Sequence, residues 1–189
     1  MAGQIWVFEA LKEISKRLPF QLKGIDSDNR TEFINNHLYT YCNERDIKFT
    51  RVRPYRKNDN CFVEQKNFVA VRTYCGYYRY DTKDRLDVLN DLYSQLRLYL
   101  NNFHPSMKLL SKTRSGSKII KKYDTPKTPY KRILNSDCIN EKQKQKLILI
   151  YKDLNPFQLK RKIDKLQDKL FRMAYLRKHG RPFDGKKIS

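Results

Sequence analysis

Two acidic positions in this sequence have the type and spacing to do chemistry. Asp28 stands just past a short apolar run that holds Leu22 and Ile25, and Glu64 follows it with 35 residues between. A carboxylate at the end of a buried strand is costly unless something pairs with it. Glu64 falls in the first turn of a helix-like pattern after the Asn58-Asp59-Asn60 loop, where the helix dipole favours negative charge. Strand ends and helix starts converge at one edge of an open parallel sheet, which is where α/β proteins build sites. Two facing carboxylates repel, and a divalent cation relieves that repulsion. Hard oxygen donors suit Mg2+ or Mn2+. A pair of such ions, roughly 3.5–4 Å apart, can activate an attacking oxygen and stabilise a leaving one in phosphoryl transfer. Taken singly, Asp28 reads first as a turn or N-cap acid, and Glu64 equally well as a dipole partner. Asp26 reads as a turn or cap residue, and Asp59 as a loop residue.

The elements that must hold these groups follow from periodicity. Residues 6–18 put Val7, Ala10, Leu11, Ile14 and Leu18 on one helical face, and Pro19 ends the run. Residues 21–27 predict a strand, 31–45 a helix, and 47–52 (IKFTRV) a second strand. That β–α–β order predicts two parallel strands joined by a right-handed crossover. Helices are expected over 62–74 and 83–102. Residues 105–132 hold nine Lys/Arg and a single acid, Asp124, and read as an extended basic linker. Two helices close the chain, over 141–154 and from Asn155 onward, with Asn155 as N-cap and Pro156 in the first turn. Leu159, Ile163, Leu166, Leu170 and Met173 form a heptad-like seam on the second. Its simplest partner is the preceding helix, through Leu147, Ile150, Tyr151 and Leu154; self-association is the lesser alternative.

Charge narrows the partners. The chain has 41 Lys+Arg against 20 Asp+Glu in 189 residues, a net charge of +21. Such an excess repels itself unless a polyanion neutralises it, and nucleic acid is the commonest one. An apolar run of about 18 residues, the length of a membrane span, does not occur. The first residues, MAGQIWVFEALKEI, lack the basic start of a secretory signal. Cys42, Cys61, Cys75 and Cys138 show no zinc-ligand spacing, so reduced thiols in a cytoplasmic, nucleoid-associated protein are expected.

Two sequence blocks are more specific than any of these. GIDSDN-x-x-EF (residues 24–33) resembles the second-aspartate motif of DDE transposases and retroviral-type integrases, and RPYRKNDNCFVEQKN (53–67) resembles the block around their glutamate. The 35-residue separation of Asp28 and Glu64 matches the D-35-E spacing of that family. RYDT (79–82) and TPYKRIL (128–134) extend the resemblance over most of the chain, towards bacterial insertion-sequence transposases. The resemblance implies an α/β, RNase H-like catalytic core and metal-dependent attack on DNA phosphodiesters by water or a 3′-hydroxyl. It implies Asp28 and Glu64 as catalytic ligands of Mg2+ or Mn2+, with Lys66 and Asn67 near the DNA backbone. Arg30 and Lys57 flank the two acids as further DNA contacts. The basic stretch adds Lys112, Arg114, Lys118, Lys121 and Lys122.

The pattern departs from the family in two places. Arg30 stands where the family has Gly, and the family's first Asp, on the opening strand, has no counterpart here. Only Glu9, Glu13 and Asp26 precede Asp28. The expectation is a partial RNase H-like fold lacking its first three strands. It comprises a core region (1–103), a basic linker (104–135) and a C-terminal helical region (136–189). An upstream fragment or a second copy would supply the missing strands. The alternatives are a non-catalytic nucleic-acid-binding remnant and an RNA-associated basic protein whose acids are accidental.

Overall fold

A computed structural model of the chain describes residues 2–27, 36–51, 53 and 61–179. Helices predominate, with two small sheets, a mixed composition compatible with the α/β class. The chain forms two compact units, 1–76 and 77–189.

In the first unit, α1 (Ala2–Arg17) turns Val7, Phe8 and Leu11 partly inward, whereas Ala10 and Ile14 of its expected apolar face are exposed, as are Ile5 and Trp6. Exposed i,i+3 pairs Glu9–Lys12 (3.1 Å) and Glu13–Lys16 (2.7 Å) run along the outer side. Lys16 and Arg17 in the last turn complement the helix dipole. Strand β1 (Gly24–Ser27) pairs in parallel with β2 (Lys48–Arg51), in the register Gly24↔Lys48, Ile25↔Phe49, Asp26↔Thr50 and Ser27↔Arg51. Helix α2 (Asn36–Glu44) makes the crossover, as the hydrophobic pattern predicts; the earlier part of that predicted helix, 31–35, lies outside the described residues.

The end of α2 is a Schellman motif. The Ile47 N–H donates to the Cys42 carbonyl (2.8 Å) and the Asp46 N–H to the Asn43 carbonyl (3.3 Å). Asp46 takes the left-handed conformation (φ 53°) that such a stop requires, and a short polar side chain tolerates it best after glycine. The turn then drops Ile47 into a core with Leu38, Tyr41 and Cys42, against which Phe8, Leu11, Leu22, Ile25 and Phe49 pack. Phe8 meets Tyr41 edge-on at 5.4 Å, and the Arg45 guanidinium lies 4.6 Å from the Tyr41 ring centre. The core covers the sheet face that carries Ile25, Ser27 and Phe49, whereas Gly24, Asp26, Lys48 and Thr50 on the other face are exposed. Helix α3 (Cys61–Asn67) runs into a π-helical segment (Phe68–Arg72) and a last turn, α4 (Thr73–Cys75). The Thr73 hydroxyl donates to the carbonyl of Phe68, five residues back, which stabilises the wider turn.

The second unit is built on α5 (Lys83–Phe103) and α8 (Pro156–His179). Val88, Leu92 and Leu96 are buried on α5, and Leu159, Ile163, Leu170 and Ala174 on α8. The seam expected on α8 is therefore real, but its partner is α5 rather than the preceding helix, α7 (Glu141–Lys152), whose Leu149 and Ile150 are exposed. Periodicity shows that a stripe is buried, not what covers it. For the same reason α5, read as part of the 1–103 core region, belongs to the compact unit of α8. Asn155 caps α8 as expected: its Oδ1 accepts from the N–H groups of Phe157 (2.9 Å) and Gln158 (3.2 Å). Asn140 and Gln143 form a reciprocal capping box on α7. Tyr130 stacks on Tyr151 at 4.4 Å, and Tyr151 reaches Phe103 at 5.5 Å, so aromatic contacts tie α6 (Pro129–Leu134), α7 and α5 together.

Leu92 and Leu170 have no exposed surface. Truncating either to Ala is expected to lower unfolding free energy by about 2–5 kcal/mol. Leu149→Ala on exposed α7 should stay within about 0.5 kcal/mol. Urea unfolding of the three variants checks the contrast.

The segment expected to be an extended linker is instead structured. Residues 109–123 form a β-hairpin, β3 (Leu109–Ser115) antiparallel to β4 (Lys118–Tyr123). Ser115-Gly116-Ser117-Lys118 makes the turn, with positive φ at Gly116 (59°) and not at Ser117. That is the two-residue geometry with glycine first, whose twist matches the strands it joins. The hairpin escapes a periodicity reading because every residue of both strands is exposed, so no apolar–polar alternation marks it.

Candidate nucleic-acid interface

Among the acids singled out by spacing, Glu64 lies exposed in the first turn of α3, with Lys66 and Asn67 exposed in its last. Asp28, Arg30 and Lys57 lie outside the described residues. Asp26, at the β1 edge, accepts a 2.8 Å hydrogen bond from the Thr50 hydroxyl, its direct partner across the parallel pair. It serves the sheet from within β1, rather than a turn or a helix cap as its sequence predicts. Beside it Ser27 is buried, and its Oγ has no hydrogen-bond partner among the described residues. All three acids that precede Asp28 in this chain are engaged: Glu9 with Lys12, Glu13 with Lys16, and Asp26 with Thr50.

The five hairpin cations are brought together on one ribbon. Lys112 sits directly opposite Lys121, Arg114 opposite Ile119, Ser115 opposite Lys118 and Ser111 opposite Lys122. Directly paired like charges on a ribbon destabilise it unless an anion intervenes. At the tip, Arg114 donates from Nε to the Gly116 carbonyl (3.1 Å), which holds the guanidinium over the turn.

The base of the ribbon is clamped by groups that the sequence reading did not pick out. Ser106 and Lys127 exchange backbone hydrogen bonds (3.1 and 3.2 Å). The Arg132 guanidinium grips Asp124 with both terminal nitrogens (2.6 and 3.3 Å) and also donates to the Ser106 carbonyl (2.6 Å). The Lys108 N–H donates to the same carboxylate at 2.6 Å. Arg132 is presented by α6, whose N-cap Thr128 accepts from the Lys131 N–H at 3.2 Å, with Pro129 opening the helix. The signal was present in the sequence as the lone acid of a basic stretch, eight residues before an arginine.

Hydrogen bonds from Arg132 and then from the Lys108 amide hold the Asp124 carboxyl down at about 2. A depressed acid contributes stability above its unfolded pKa of about 3.9 and loses it as pH falls through the folded value. The neck is therefore expected to stay closed at pH 4 and above and to open as pH falls towards about 2. Protection of the Lys108 amide, measured against an unstructured peptide at the same pH, should be lost across that window. In Asp124→Asn that protection should already be low at neutral pH.

Besides Glu13, lowered by its bond from Lys16, and Lys16, raised by Glu13, three other groups have displaced proton affinities. Burial pushes the Cys42 thiol up, burial and then Tyr151 push the Tyr130 hydroxyl up, and Asp124 raises Arg132 further. None of the three gains a titration near neutral pH. Among the described residues there is no cluster of three or more metal-ligating side chains, and no helix is long and apolar enough to cross a membrane.

No family model matches the chain. It is similar to an uncharacterized protein, y4rM, of Sinorhizobium fredii. The two are 41% identical over 126 residues, which is 67% of this chain and 36% of that protein. The chain thus spans about a third of the length of the curated relative it matches.

Proposed function

We propose that this chain is a segment of an integrase-core transposase acting in DNA integration, with part of an RNase H-like fold in its first unit. The observation that carries the reading is the parallel β1–α2–β2 crossover, whose first strand ends immediately before Asp28, followed by a helix that opens on Glu64. Parallel sheets are ordinarily covered on both faces. Here the face with Gly24, Asp26, Lys48 and Thr50 is exposed, which supports a further layer of chain packing on it. The greater length of the S. fredii relative is in keeping with that.

Carboxylate oxygens are the donors that Mg2+ or Mn2+ prefer, and Glu64 presents one at an exposed helix start. Asp28 and Glu64 would hold the ion, which when bound supplies activation of the attacking oxygen and charge relief at the leaving one. The residues of this chain do the rest. Lys66 and Asn67, on the same helix as Glu64, would steady the DNA backbone. The third acid would come from outside this set, since Glu9 and Glu13 lie in exposed pairs along α1 and Asp26 bonds Thr50 across the strands.

That same occupancy favours a second reading, a nucleic-acid-binding protein without chemistry of its own. Strand-transfer assays with Mn2+ on a duplex with a free 3′-hydroxyl separate the two. The chain alone is expected to be inactive, and activity should appear when a polypeptide carrying the upstream strands is added. Intact duplex binding with no activity in either case would leave the second reading. Activity of the chain alone, abolished by Asp28→Asn, would refute the missing-acid account.

A further inference from the structure

We propose that the β3–β4 hairpin is a ribbon that enters the major groove of duplex DNA, with the Asp124–Arg132 pair fixing its angle of entry. This deepens the reading of the chain as a DNA-acting protein and rests on it.

A free two-stranded ribbon is marginal in water. This one is exposed along both strands, and it spends no side chain on the core of its own unit. Its composition fits a polyanion and little else. From Met107 to Tyr123 it has no acid, and Lys112 faces Lys121 directly. The nearest acid, Asp124, is taken up by the clamp. Cross-strand partners share a face and faces alternate. Lys112, Lys121 and Arg114 therefore line one face, while Lys118 and Lys122 line the other, so the ribbon presents cations to both walls of a groove. Ile119 and Ile120 are half exposed beside them, one on each face, as apolar contacts for thymine methyl groups.

Dimensions choose the groove. Paired strands lie about 4.8 Å apart, and with side chains such a ribbon fits the B-DNA major groove, roughly 12 Å wide. The minor groove, about 6 Å wide, is too narrow for it. The deep, narrow major groove of A-form RNA does not admit side chains either, so duplex DNA rather than duplex RNA is the partner. Arg114, tethered over the turn by its Nε, is the residue placed to meet base edges, and the lysines meet phosphates.

The test uses the full chain and a 30-base-pair mixed-sequence duplex, with the same sequence as duplex RNA and as single strands. Replacing Lys112, Arg114, Lys118 and Lys121 by Gln is expected to weaken duplex DNA binding about 10³-fold at roughly 100 mM salt. The log–log salt slope should become shallower by about 3–4. All four side chains are exposed, and relief of the Lys112–Lys121 repulsion works in favour of the fold, so the melting temperature should not fall. A second measurement needs no variant. Duplex containing glucosylated hydroxymethylcytosine, whose sugars fill the major groove, should bind at least tenfold more weakly, and netropsin in the minor groove should not compete. Binding by the four-fold variant within threefold of the parent would overturn the ribbon and leave the DNA reading standing. So would competition by netropsin alone, or equal affinity for duplex RNA or single strands. No binding of the parent chain to any of the probes would overturn both.

Discussion

Raising the salt from about 50 to about 200 mM is expected to weaken duplex DNA binding by about 10³-fold. The chain carries a net charge of +21. The hairpin offers Lys112, Arg114, Lys118, Lys121 and Lys122, and its base adds Lys108, with no acid between them. Each phosphate that a lysine or arginine neutralises releases condensed counterions, and this gives a slope of about −0.9 per contact in log affinity against log salt. About six contacts over a fourfold change in salt amount to roughly three decades. A solvated charge run that touches no phosphate gives a flat response. Fluorescence anisotropy at four salt concentrations distinguishes the two, and a slope shallower than about −2 would remove the polyanion from the account.

The other large effect belongs to the acids. In an assembly completed by the upstream strands, Asp28→Asn and Glu64→Gln are each expected to reduce strand transfer by about 10³-fold or more. Both together should cost little more than either alone, because ligands of one ion act as a unit. Duplex binding should be unchanged within about twofold, since phosphate contacts and not these carboxylates set it. Asp26→Asn is the internal control. Its carboxylate serves Thr50 across the strands, so its loss should leave the chemistry within about fivefold and show, if anywhere, in stability. A loss at Asp26 as large as at Asp28 would mean that the wrong acid of the pair carries the metal.

Much of the local structure could be read from the residues. The parallel crossover follows from β-branched and aromatic strands around an amphipathic helix, and Asn155-Pro156 marks a helix start by chemistry that does not depend on context. What depended on distant partners was harder to see. The seam on α8 is visible as a stripe, but that Leu92 and Leu96 of α5 fill it is a property of the tertiary fold. The hairpin is hidden because Ile119 and Ile120 are neighbours on opposite exposed faces, so burial leaves no period of two. Its turn was nonetheless written in Ser115-Gly116-Ser117, and its neck in the single acid among nine cations. At the carboxylate edge, Asp26 and Asp28 look alike in sequence. The Thr50 hydroxyl assigns Asp26 to the sheet, and only the strand register brings it there.

The central claim is that one divalent cation is shared by Asp28 and Glu64. Anomalous scattering from a Mn2+-soaked crystal of the chain tests it most directly. The account predicts a manganese peak about 2.1 Å from an oxygen of each carboxylate. A peak on neither, with the two carboxyl groups more than about 10 Å apart, would contradict it, since one ion with ligand distances of about 2.1 Å could not bridge that gap.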